Sequence, residues 1–478
     1  MLPAVHSARR ALSSSMYRPS GSRFGQLALL HLGRATEAGT EAFLSKGAIE
    51  SDAAIRFNKS VVRIAPLGYG SPAAFTKDTQ VLADIKEAVL THRNNFIQTH
   101  FVYSDAPSGD DKLGRVGEAI ALNELLTEED VPREALVLSA LLDNALGRAG
   151  LSTEARLAPD VLRNHVQQIL HLLDVQVLDL IVVRLPSDLF SMSTADASAL
   201  VRGAIAGLQR CVDANLVQGF GFAFPSDIVL DVHALDVLAP HLPRDCVVLQ
   251  RPVNIQQGSA VVLAQPAHVT WIGESPLDIF VDVHGRRKPL HLESAVDALE
   301  GGDVAAKLKE AFGFALNVEE KYRNSIHTDA LPSPDDVAWA HILAHQHGQF
   351  DNWAEWEYIR ETQIHPRVQR ILEQLQAIDA TKDFAFAYSV AIRNLLRHFD
   401  VSIEMIAANQ NAAVHQQLRA LDVDAASVEE AAMRVARSCP VDCVLFSQNL
   451  PKVRGSALER VTPETLAVVH SQSWHQDD

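Results

Sequence analysis

The sequence predicts an α/β chain built as a (β/α)8 TIM barrel, with a long helical insertion between strand seven and the last βα unit. Two observations carry this. Apolar runs of five to seven residues alternate with amphipathic helical patterns, the signature of parallel strands buried on both faces. Seven such units precede residue 278 and an eighth pattern follows near the carboxyl terminus, a count that favours a closed barrel over an open sheet.

The units run in order. Val61–Leu67 is a first strand ending at the breaker Gly68-Tyr69-Gly70, and Asp78–Leu90 carries Val81, Leu82, Ile85 and Val89 at helical spacing. Strand Asn95–Thr99 and helix Lys112–Leu126 follow, then strand Ala135–Ser139 and helix Pro159–Leu173. Next come strand Leu178–Arg184, helix Asp196–Asn215, strand Val217–Ala223 and helix Asp227–Ala239. Strands Cys246–Gln250 and Val269–Glu274 flank a short helix around Ala260. The eighth unit is expected as helix Asp383–Arg397, strand Val401–Ile406 and helix Ala412–Leu421.

Residues 278–382 interrupt this repeat with helical patterns at Ala305–Phe312, Asp335–His347, Trp353–Thr362 and Val368–Ile378. Trp339, Trp353, Trp356 and Tyr358 make this insertion the candidate contact for a protein partner. The plainer reading, a helical hairpin whose aromatic rings pack on each other, outweighs it. Residues 37–60 form an N-terminal extension, 61–440 the barrel and 441–478 a C-terminal extension.

Composition narrows the function classes. Apolar content of 47% supports a sizeable core, and a net charge of −17 disfavours a bare nucleic-acid surface. Four cysteines in 478 residues make no disulfide framework, and no second pair completes a zinc site with Cys439 and Cys443. His341, His345 and His347 read as a solvated helix face rather than a metal site. No apolar run reaches the length that spans a bilayer. Residues 1–36 hold Arg9, Arg10, Arg18, Arg23 and Arg34 with no acid before Glu37, the pattern of an organellar import segment. A mitochondrial matrix location is therefore expected.

The candidate site is the corner from Phe96 to Tyr103, where a buried strand gives way to a polar turn. Leu67-Gly68-Tyr69-Gly70-Ser71, Phe96-Ile97-Gln98-Thr99 through Tyr103, Val116-Gly117-Glu118-Ala119-Ile120 and Leu178-Asp179-Leu180 through Arg184-Leu185-Pro186 stand in order along the chain. Val217–Phe224, Gln250 with Asn254, and Ser275-Pro276-Leu277 complete the series. Together they resemble the motifs of the aldo-keto reductase superfamily, a barrel that reduces carbonyls with NADPH.

The resemblance implies a catalytic tetrad of tyrosine, aspartate, lysine and histidine. A phenol of pKa near ~10 is a poor acid at neutral pH without such helpers. Tyr103 keeps the tyrosine position, whereas Gln98 stands for the aspartate, Ala140 for the lysine and Arg184 for the histidine. Loss of the aspartate and the lysine together avoids leaving either as an unpaired buried charge.

On the cofactor side, Ala223-Phe224 replaces the Ser-Asn that holds the nicotinamide, and Gln250 remains. Ser275 falls in the family's Ser-Pro-Leu, and Ala407, Asn409 and Gln417 fall where a phosphate anchor belongs after strand eight. No NADP(H) is then expected, nor a metal. The resemblance implies a reductase-like barrel that has lost catalysis and acts as a binding or structural subunit in mitochondria. The alternative is an active NAD(P)H-dependent carbonyl oxidoreductase in which Arg184 lowers the pKa of Tyr103.

Overall fold

The computed structural model describes residues 33–47, 49, 53–57, 60–70, 78–102, 116–129, 131–143, 152–225, 237–258, 268–280, 287–290, 301–325, 331–350, 353–446, 459–472 and 474. It divides into two compact units, one of residues 1–276 with 432–470 and one of residues 277–431 with 471–478.

The first unit is a closed barrel of eight parallel strands. They are β3 (Leu67–Tyr69), β4 (Phe96–Val102), β5 (Val137–Asp143), β6 (Leu178–Arg184), β7 (Val217–Ala223), β8 (Cys246–Pro252), β9 (Thr270–Glu274) and β12 (Cys443–Phe446). Strands such as Val-Leu-Ser-Ala-Leu-Leu-Asp in β5 are buried at every position, because a closed parallel sheet is covered on both faces. Inside the barrel, Phe96, Val137, Leu141, Leu180, Val182, Val248, Ile272 and Leu445 form one apolar cluster. In β7 the glycines of Val-Gln-Gly-Phe-Gly-Phe-Ala answer crowding: a Cβ on Gly221 would lie 2.5 Å from the Val248 carbonyl oxygen.

The expected first strand, Val61–Leu67, is divided in two. Its beginning belongs to an antiparallel hairpin of β1 (Ala54–Phe57) and β2 (Ser60–Arg63), and only Leu67 reaches the barrel strand β3. Ile55, Phe57, Val62 and Ile64 of this hairpin and its exit join the apolar cluster of the barrel. Asn95 fixes the chain there, accepting from Ala65 N at 2.9 Å and donating to Arg63 O at 2.8 Å. On β6, Asp179 is fully buried and accepts from Ala35 N, Leu138 N and Arg133 Nη2, each at 2.8 Å, and from the Gln218 amide. The acid of the Leu-Asp-Leu motif is thus a structural clamp that joins two strands and the segment leading into helix α1 (Glu37–Lys46).

The expected eighth strand is a correction. Val401–Ile406 lies inside a 39-residue helix, Lys382–Ala420. Its buried residues Phe399, Ile403, Ala407, Val414 and Leu418 recur at helical spacing, and a short apolar run alone does not separate strand from helix. The barrel closes instead with β12, past the expected limit at residue 440; β12 pairs β9 on one side and β3 on the other, where Gly70 N donates to Phe446 O at 2.8 Å.

The second unit holds the small hairpin β10 (Asp278–Phe280) and β11 (Arg287–Pro289), followed by helices. These are α2 (Gly301–Arg323), α3 (Trp339–Gln346), α4 (Trp353–Ile359), α5 (His365–Gln376) and α6 (Lys382–Ala420). Helices α2 and α6 run antiparallel: Phe312 meets Phe399 edge-on at 6.2 Å while Tyr322 stacks on Phe384 at 4.7 Å. Trp356 is fully buried and lies 4.4 Å from the Phe399 ring centroid and 5.2 Å from that of Phe350. Its indole N–H donates to Asp400 at 2.7 Å. Trp339 is 8% exposed, and Trp353 is half-buried with Arg360 over its ring. Of the candidate partner contacts, Trp339 and Trp356 are core anchors, as the area of an indole ring favours; the Tyr358 side chain lies outside the described residues.

Two acids a turn apart on α6, Asp400 and Glu404, share one neighbouring guanidinium, Arg360, which already pairs with Asp400 at 2.7 Å and Glu361 at 3.0 Å. Burial and then the Asp400 charge push the Glu404 carboxyl up to about 7 against the pull of Arg360.

Two outcomes follow. Asp179→Ala removes the only acid of a buried pair, leaving Arg133, two backbone amides and the Gln218 amide without it, and is expected to cost ~3–5 kcal/mol in denaturant unfolding. Glu404 binds a proton more tightly folded than unfolded, so the chain should gain stability as pH falls from about 8 to about 5. Glu404→Gln should flatten that gain in unfolding midpoints taken across the range.

Candidate functional site

Strand alternation decides which side chains enter the barrel. Phe96, Val137, Leu180, Val182, Ala223, Val248 and Ile272 point inward, so the same parity brings in Gln98 and His100 from β4, Ser139 and Asp143 from β5, Arg184 from β6, Gln250 from β8 and Glu274 from β9. These lie toward the carboxyl ends of their strands, the end at which parallel barrels carry chemistry.

They form one connected network. Arg184 Nε donates to Asp143 Oδ2 at 2.7 Å, and its other two nitrogens fork onto Glu274 at 2.5 and 2.8 Å. A further bond from Arg184 Nη1 reaches the Phe224 carbonyl at 3.0 Å. His100 Nε2 lies 3.2 Å from the same Asp143 oxygen. Gln250 donates one amide hydrogen to Glu274 Oε2 at 2.5 Å and the other to Gln98 Oε1 at 3.0 Å. Because a carboxylate oxygen accepts, that first bond orients the Gln250 amide. Gln98 returns a bond to Gln250 Oε1 at 2.9 Å and reaches Ser139 Oγ at 3.2 Å. The two glutamines, from β4 and β8, thus make a reciprocal amide pair across the barrel interior.

Burial opposes the Arg184 charge, but Asp143 and Glu274 together outweigh it and hold its pKa above the ordinary guanidinium value. Arg184 is thus a permanent cation. Its field is met by two carboxylates, so the network offers no surplus positive charge to a developing oxyanion.

The residues singled out in the sequence divide as follows. Gln98, Arg184 and Gln250 meet in this network. Ala140 is buried on β5 between Ser139 and Leu141, and alternation turns its methyl away from the interior. The inward neighbours are a serine and a leucine, so no lysine enters by a one-residue shift. Tyr103 lies outside the described residues. Ser275 is half-buried with φ of 55°, at the turn leaving β9.

Asn409 and Gln417 are corrected with the strand that assigned them: they sit on helix α6, exposed and half-exposed, and do not follow the barrel's eighth strand. The stretch that does follow β12, residues 447–458, carries Lys452 and Arg454 and lies outside the described residues. At the other cofactor position, Ala223 and Phe224 present no polar side chain and both Gln250 amide hydrogens are engaged. The residues present therefore do not fit a nicotinamide amide.

Sequence reasoning missed Asp143, Glu274, Ser139 and His100. A signal existed: Leu-Leu-Asp and Ile-Gly-Glu each end an apolar run with an acid of inward parity. In the second unit, His341 is taken up by Glu319, whose carboxylate accepts from Ala340 N at 2.6 Å, from His341 N at 3.2 Å and lies 2.7 Å from its Nδ1. Among the described residues no group of three His, Cys, Asp or Glu side chains could hold a metal ion, and no helix is long and apolar enough to cross a membrane.

No family model matches the chain, and no curated protein matches it. Solved structures similar to it include aldo-keto reductases. A glycerol dehydrogenase from Gluconobacter oxydans is 12% identical, with 88% of this chain and 94% of that one covered at a TM-score of 0.41. An aldo-keto reductase from Bacillus halodurans in its holo form is 15% identical over 60% of this chain and 80% of that one, at 0.34. An aldo/keto reductase from Klebsiella pneumoniae in complex with NADP and acetate is 12% identical over 48% and 69%, at 0.34. The barrel class stands on the strand order of this chain itself.

If Arg184 holds the two acids together, Arg184→Met should cost ~3–5 kcal/mol near neutral pH, since both carboxylates stay buried without their cation. Denaturant unfolding of the variant and the native chain at neutral pH measures the loss.

Proposed function

We propose that this chain is a barrel of aldo-keto reductase type that has given up carbonyl reduction and serves as a binding or structural subunit. The observation that carries the reading is the fork of Arg184 onto Glu274 with its third contact to Asp143. Reduction of a carbonyl needs an acid or a surplus positive charge where the oxyanion develops. Arg184 cannot release its proton, and its charge is already met by two carboxylates. The alternative, an active oxidoreductase in which Arg184 lowers the pKa of Tyr103, requires the opposite: a guanidinium whose field is left over for the phenol.

Two further features support the reading. Gln250 spends its amide within the network, and Ala223 and Phe224 add no hydrogen-bonding side chain, so NADP(H) is not part of the proposed function. The arginine-rich, acid-free residues 1–36 support work in the mitochondrial matrix. A mature chain beginning at Glu37 would carry 37 basic and 59 acidic residues, a charge of −22.

The purified chain, assayed with NADPH and a panel of aldehydes and ketones, is expected to show no turnover above a buffer control. Turnover that disappears in Tyr103→Phe would overturn the proposal, and turnover that also disappears in Arg184→Met would restore the alternative.

A further inference from the structure

Arg184 has carboxylate partners within the barrel network; a second buried guanidinium in the same unit has none among the described residues. Arg251 follows Gln250 on β8, so alternation sends it to the outer face of the barrel, away from the interior network. Only 5% of its surface is exposed, yet among the described residues no carboxylate pairs with it. Its Nε has no hydrogen-bond partner, and its one bond, from Nη2 to the Pro440 carbonyl, is 3.5 Å long, at the outer limit of such contacts. The guanidinium lies over the Trp271 ring, 5.6 Å from its centroid. The indole N–H of Trp271, itself 3% exposed, also has no acceptor.

The described residues around it supply no counter-charge. His470 donates from Nε2 to the Asn254 carbonyl at 3.2 Å, and burial, opposed by that bond and helped by Arg251, holds its pKa below the ordinary imidazole value. It is thus neutral. Burial pushes the Cys439 thiol up to about 12 in spite of the Arg251 charge, so at neutral pH it is a thiol. Cys439 and His470 meet around Gly258, where a Cβ would lie 2.4 Å from Cys439 Sγ and 3.5 Å from His470 Cε1. Burial also drives the Arg251 pKa below its ordinary value. An unpaired buried cation is costly, and a donor-rich, acceptor-poor spot is what an anion would relieve.

We propose that Arg251 and the Trp271 indole N–H form a site for a small oxyanion such as inorganic phosphate or sulfate, on the outer face of β8 and β9. A planar guanidinium whose Nε–H has no partner among the described residues suits a tetrahedral oxyanion, and the 5% exposure of Arg251 favours a free ion over the phosphoryl end of a larger ligand. The site is independent of the catalytic reading given above, since none of its residues belongs to the interior network.

Calorimetric titration of the full chain with inorganic phosphate, at an ionic strength held constant with chloride, tests it. Saturable binding is expected, at least about tenfold weaker in Arg251→Met and measurably weaker in Trp271→Phe. The unfolding temperature of the native chain should rise in step with occupancy. Sulfate should compete and a nucleoside monophosphate should not; competition by the latter would overturn the assignment to a small free ion. Absence of saturable phosphate binding to the native chain overturns the site without need of a stable variant, as does equal affinity in both variants. Thiolate ultraviolet absorbance at neutral pH that disappears in Cys439→Ala would also overturn it, by supplying the counter-charge from the protein itself.

Discussion

The Arg184 guanidinium, divided between Asp143 and Glu274, is the interaction on which the interior of this barrel depends. It ties β6 to β5 on one side and to β9 on the other, and through Glu274 and Gln250 it holds the amide pair that crosses to β4. Each member satisfies the next, so removing one leaves a buried charge or amide exposed to the low-dielectric interior. A barrel that runs proton transfer needs the reverse arrangement, with at least one group left ready for a substrate. The same ring of residues can be a site or a keystone, and here Arg184, Gln250 and Gln98 join strands.

Much of this was legible in the chain. Parallel strands buried on both faces read directly as apolar runs, and Leu-Asp-Leu-Ile-Val-Val-Arg places Arg184 at a strand end with inward parity. Gln98 and Gln250 were found as well, on the right strands. Asp143 and Glu274 were missed because their meaning is non-local: an acid ending a strand is ordinary until the fold sets it within 3 Å of a guanidinium 41 or 90 residues away. The last strand was missed for a different reason. Val401–Ile406 and Cys443–Phe446 are both short apolar runs, and only the longer helical spacing from Phe399 to Leu418 separates them. That one error carried Asn409 and Gln417 with it.

The helical unit shows how burial changes the sense of an aromatic cluster. In the sequence, Trp339 and Trp356 read as a candidate contact surface or, the weightier reading, as a self-packed core. The structure buries both, and Trp356 at the same time meets Phe350 and Phe399 and donates to Asp400. That bond links the core to the Arg360, Asp400 and Glu404 cluster, so the same helix face carries both the unit's packing and its surplus acid. Glu319 plays a similar part at the start of α3, where its carboxylate caps backbone amides that no side chain of the helix itself reaches.

On the proposed function, Gln250 is held by Glu274 and Gln98 and leaves no amide hydrogen for a nicotinamide cofactor. Calorimetric titration of the full chain with NADPH tests this, and no saturable heat is expected. Stoichiometric binding, weakened by Gln250→Ala, would contradict it.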